Sequence, residues 1–189
     1  MTRSTLHSLV TILLLVVAGP AHAAAQALLV QVDNDARIPA ADLAQMEDVV
    51  ARSYLAIGIH VIWEYREVPL DDPRGVRVHL RLLSRASGDR KITRERIGRA
   101  VLGQTNRPAR LVYIFTPRIV EASVKFARDY THILGLVVAH ELGHVLLPTG
   151  SHSDSGIMNG RTNLWGKIAH EFTPEEGEAI RNGLVRRFH

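Results

Sequence analysis

The sequence predicts an α/β (α+β) fold, a mixed twisted sheet with helices packed on it. Three observations carry that expectation. Residues 59–65 and 76–83 alternate apolar with polar, the period of strands, whereas Leu43, Met46, Val49, Val50 and Tyr54 recur at helical spacing. Residues 131–147 are apolar nearly all round, which demands a buried helix. Thr173-Pro174-Glu175-Glu176 is a helix start, with Thr173 as N-cap, Pro174 in the first position and Glu176 as the reciprocal capping partner.

Taken in order, 27–32 (ALLVQV) is a short opening strand. A helix starts near Pro39, with Asp42, Glu47 and Asp48 following, and ends at Gly58. In the strand 59–65, Ile59, Val61 and Trp63 share one face; in 76–83, Val76, Val78, Leu80 and Leu82 point inward and Arg77, His79 and Arg81 outward. The stretch 69–75 is a loop, and so is the one holding Ser87, Gly88 and Asp89. Ala100, Val101, Leu102 and Gly103 form a candidate edge strand, followed by a loop over 104–109. The near-continuous apolar run 111–115 (LVYIF) is a central buried strand, and 118–127 is a short helix or a long loop. A final helix runs from Pro174 to about Arg186.

The first 23 residues read as a signal peptide. Arg3 is followed by an apolar run over 9–18, then Gly19-Pro20 and the small-x-small site Ala21-His22-Ala23, so that cleavage falls after Ala23 or Ala25. The run is shorter than the ~20 residues of a membrane span. The expected product is secreted or periplasmic, a monomer without a stable membrane anchor, and a single domain over 24–189.

Composition narrows the chemistry. With no cysteine, the chain uses neither a disulfide nor a thiolate nucleophile. Lysine and arginine number 23 against 19 acids, and losing Arg3 leaves 22, an excess too small to imply nucleic acid. Arg81, Arg85, Arg90, Lys91, Arg94, Arg96 and Arg99 form a local basic cluster interrupted by Asp89 and Glu95. Its simpler reading is a solvated face; its sharper one is a patch for an acidic polymer.

The chemistry-bearing stretch is 140–158, HELGHVLLPTGSHSDSGIM. His140 and His144, one helical turn apart, leave the same face of the buried helix and can hold one divalent metal; zinc suits imidazole nitrogen. Glu141 stands beside the metal position, where it can take a proton from water. His152 follows a turn at Pro148-Thr149-Gly150 and is the third candidate ligand, and a Gly156-Ile157-Met158 turn comes next. Asp154, or a downstream Glu171 or Glu175, could replace His152. His60, His79, His132, His170 and His189 read as surface or core histidines, and Trp165 as packing or pocket lining.

On His140, Glu141, His144, His152 and the Gly156-Ile157-Met158 turn, the chain resembles the metzincin-type zinc metallopeptidases, in their compact matrixin-like branch. The resemblance implies a zincin-like domain in which His140, His144 and His152 bind Zn2+ and Glu141 is the general base. It also implies that Met158 forms a floor beneath the metal and that an antiparallel edge strand, here 100–103, holds an extended peptide or protein substrate. The chain departs from the family pattern H-E-x-x-H-x-x-G-x-x-H. Two extra residues precede His152, Thr149 replaces the family glycine with Gly150 one later, and no tyrosine follows Met158. The expected activity is an exported zinc endopeptidase. Its rivals are a non-catalytic module that keeps zinc as a brace, and a basic protein binding an acidic polymer through 81–99.

Overall fold

A computed structural model describes residues 26–65, 75–147, 152–160 and 169–188, and among these residues the chain forms a five-stranded, mostly parallel sheet and five helices. The signal peptide, most of the 69–75 loop, the Pro148-Thr149-Gly150 turn, Trp165 and His189 lie outside the described residues. Chain order is β1 (Gln26–Asp33), α1 (Ala40–Leu55), β2 (Ile59–Glu64), β3 (Val76–Leu83), α2 (Arg85–Glu95), β4 (Gly103–Asn106), β5 (Leu111–Phe115), α3 (Thr116–Phe126), α4 (Tyr130–Leu146) and α5 (Pro174–Phe188).

The sheet order is β2-β1-β3-β5-β4. β1 runs parallel to β2 and β3, and β3 parallel to β5; only the edge strand β4 is antiparallel, with Gly103 opposite Ile114 and Asn106 opposite Leu111. Alternation works as the sequence implies. Leu28, Val30, Val78, Leu80, Leu82, Val112 and Ile114 meet the apolar faces of α1 and α4 in one core. Within it, the buried Tyr54 hydroxyl donates to the α4 carbonyl of Ala139 at 3.0 Å, one residue before His140.

Four expectations are corrected. The Ser87-Gly88-Asp89 stretch is not a loop but lies in α2, capped by Ser84, whose hydroxyl accepts from Ser87 N–H. Polar residues nearly all round leave that helix no apolar period to read. The edge strand is Gly103–Asn106, so Ala100, Val101 and Leu102 precede it and residues 104–106 are strand rather than loop. The carbonyls of Gly98 and Val101 bond instead to the Arg118 guanidinium, which donates to each at 2.7 Å. Arg77 points away from the α1–α4 core but is fully buried, ion-paired with Glu64. Leu29, on the same face, is also 0% exposed, so the sheet is covered on both sides at its centre. Finally, α1 ends at Leu55, and Gly58 takes its φ of 75° in the turn that follows.

Candidate metal centre

α4 is set by its own sequence. Asp129 is the N-cap, its carboxylate accepting from His132 N–H at 2.7 Å, and the helix then runs buried through Leu146. Burial of a helix carrying His140, Glu141 and His144 leaves polar groups that need partners. The structure supplies them from two directions: the turn 153–159 and the edge strand β4.

From the turn, the carbonyl of Ile157 lies 2.7 Å from His140 Nδ1. A carbonyl can only accept, so Nδ1 carries the proton, and Nε2 of the neutral ring presents a bare lone pair. That lone pair faces the other two rings. His144 Nε2 is 3.1 Å from both His140 Nε2 and His152 Nε2, and one nitrogen from each ring lies within 4.8 Å of the others. Three ring nitrogens aimed at one point are the donor set of a tetrahedral zinc site with a fourth position left open. The residues present therefore fit a divalent cation. His152, exposed at the mouth, joins His140 and the 9%-exposed His144 despite the two extra residues before it. Burial, followed by its neighbours His140, His152 and Arg107, pushes His144 down to about 3, and burial also lowers His140, so both are held as neutral imidazoles. His144 Nδ1 is buried with no hydrogen-bond partner among the described residues.

From the edge strand, Thr105 Oγ1 lies 2.6 Å from Glu141 Oε2 and 2.9 Å from the Glu141 carbonyl. Burial pushes the Glu141 carboxyl up to about 7, against the lowering effect of Thr105. A carboxyl poised near neutrality beside three converging imidazoles can exchange a proton in either direction.

No protein-family model matches this sequence, and no curated protein matches it. The site therefore rests on its own geometry.

Met158 is 1% exposed, and its Sδ packs on Gly143 of α4, so it lies under the helix that carries the first two histidines. Of the other candidates, Asp154, Glu171 and Glu175 are not in the cluster of possible ligands, which among the described residues holds only His140, His144 and His152. His132 Nε2 and His170 Nδ1 sit 2.9 Å apart and partner each other; His60 is exposed, and His79 is lowered by burial and by Arg77. The basic cluster is largely paired: Arg81 with Asp33, Arg85 with Glu121, and both Lys91 and Arg94 with Glu95. Lys91 also lies over the Tyr113 ring at 3.8 Å.

Sequence reasoning placed Gly103 on the edge strand but not against Glu141, and missed Thr105 altogether. Their only sequence signal is membership of a polar four-residue strand, which is defined by pairing rather than by pattern.

The cleft above the cluster is lined by Gly103, Gln104 and Thr105 of β4, by Arg99–Leu102 before it, by the three histidines with Glu141, and by Gly156 and Ile157 of the turn. The edge strand thus forms one wall of the site.

Proposed function

We propose that this chain is a zinc-dependent endopeptidase of metzincin type, exported by a cleavable signal, acting on peptide or protein substrates as a monomer. The observation that carries the reading is the convergence of the His140, His144 and His152 nitrogens next to a buried carboxylate and an edge strand. Export is supported by the residue pattern of 1–25, and among the described residues no helix is long and apolar enough to cross a membrane.

When bound, zinc would supply Lewis-acid polarisation of the scissile carbonyl and would bring the pKa of the attacking water toward 7. The remaining steps belong to this chain. Glu141, its carboxyl near 7, accepts the proton of the attacking water and passes it to the departing amine. Thr105 fixes Oε2 so that the carboxylate does not turn away from the cleft. β4, already antiparallel to β5, offers its other side to an extended peptide, which adds as a further strand through main-chain hydrogen bonds. The substrate-binding strand of the proposal is accordingly Gly103–Asn106.

The test is cleavage of a diverse peptide mixture, read by mass spectrometry, with wild type and Glu141→Gln compared at equal metal content. Wild type should cut and the variant should hold zinc without cutting. Undiminished cleavage by the variant removes Glu141 from the role of base. Zinc-loaded wild type that cuts nothing returns the chain to a binding module with a structural metal.

A further inference from the structure

The turn 153–159 governs two of the three imidazoles. Its Ile157 carbonyl orients His140 from 2.7 Å, while its first residue, Ser153, follows His152 directly, and the His152 ring packs on Gly160 just beyond it. Within the turn, Ser153 N–H donates to the Met158 carbonyl at 3.1 Å, and Ser153 bridges to Asn159. A shift of this turn would therefore disturb both the hydrogen bond that orients the His140 ring and the backbone that leads out of His152.

One side chain holds it from outside. Glu176, in the first turn of α5, is 7% exposed. Its Oε1 accepts from Met158 N–H at 3.1 Å and from the Ser153 hydroxyl. Its Oε2 accepts from Thr173 N–H at 2.8 Å, the capping-box bond, which Glu176 N–H returns by donating to Thr173 Oγ1 at 3.2 Å. Gly156 leaves room for this carboxylate: with φ at 73°, a Cβ there would stand 2.3 Å from Glu176 Oε2. A capping box needs only one carboxylate oxygen. Here the second is spent on the turn behind the metal cluster, so one residue couples the last helix to the ligand geometry.

We infer that Glu176 is a positioning residue of the metal centre, setting metal affinity through the 153–159 turn in addition to capping α5. The inference rests on the reading of His140, His144 and His152 as metal ligands. It does not depend on peptidase activity, and its readout is metal binding. Groups that hydrogen-bond ligands directly are worth roughly 10- to 100-fold in metal affinity, and Glu176 acts on such a group, the Ile157 carbonyl, through its turn.

Zinc affinity is measured by chelator competition on the full chain, and thermal melting of the metal-free protein is measured in parallel. Glu176→Ala should bind zinc roughly 10- to 100-fold more weakly. Glu176→Gln keeps one acceptor oxygen for two N–H donors and should fall between. Thr173→Ala removes the reciprocal cap bond alone; it should lower the melting temperature and leave zinc affinity at the wild-type value. If Glu176→Ala does not fold, Glu176→Gln carries the comparison. The inference is overturned if these variants fold and bind zinc as wild type does, or if Thr173→Ala weakens zinc as much as they do. Wild type that binds no zinc overturns the ligand reading itself, a separate and recognisable result.

Discussion

Gly103 of the edge strand and Glu141 of the buried helix are in direct contact: a Cβ on Gly103 would stand 2.6 Å from Glu141 Cγ and 2.8 Å from Oε1. The backbone of Gly103 does not have positive φ, so alanine is conformationally allowed there and the collision is the whole effect. Gly103→Ala should therefore displace the Glu141 carboxylate, or prise β4 from α4, without touching the histidines. Displacing a catalytic group by about 1 Å costs on the order of 100-fold in turnover. Steady-state kinetics should show kcat reduced on that scale with zinc content unchanged. A kcat within twofold of wild type would show that Glu141 tolerates the shift and is not held by this contact.

Tyr54 tests whether α4 is placed from behind. Its buried hydroxyl donates to the Ala139 carbonyl, and its ring meets Phe172 edge-on at 5.1 Å between centroids. Tyr54→Phe keeps the ring and removes the hydrogen bond, so urea unfolding should show a loss of about 1 kcal/mol. Zinc affinity should not change, because the helix retains its own hydrogen bonds and its packing against the sheet.

Acid should loosen the junction between β1 and α2. Asp35 is held down at about 2 by the Ser87 hydroxyl, then by the N–H and hydroxyl of Ser84, against an ordinary value of 3.8. The unfolded chain takes up this proton first as pH falls. The stabilisation is thus complete above about pH 4 and is lost as pH drops through 3.8 toward 2. Asp35 is exposed, so solvent keeps the effect modest. Unfolding midpoints measured between pH 5 and 2 should decline less steeply in Asp35→Asn than in wild type. Parallel declines would mean that other carboxylates carry the acid transition.

What could be read from the chain follows from how local each signal is. The buried helix around His140 announces itself by apolar residues on every side, and the Thr173–Glu176 cap by residue types at fixed spacing; both are present. α2 lacks an apolar stripe, and its one strong local sign is the Ser84 cap. β4 reads GQTN, which has no strand character until Ile114 and Leu111 lie opposite it. Arg77 sits at a position that alternation assigns away from the helices, and nothing in its neighbours' identity tells that this face is also closed. The histidine spacing made a shared ligand set possible. The turn that follows His152 is tied down by tertiary bonds such as Met158 N–H to Glu176, made across 18 residues, which no local pattern announces.

The central claim is that His140, His144 and His152 bind one divalent cation. The most direct measurement is zinc per chain by elemental analysis, after purified protein has been dialysed against a weak chelator. Wild type should hold about one zinc per chain, and His152→Ala should hold far less while keeping its circular dichroism spectrum. Wild type without zinc, or a His152→Ala variant that retains a full equivalent, would contradict the account.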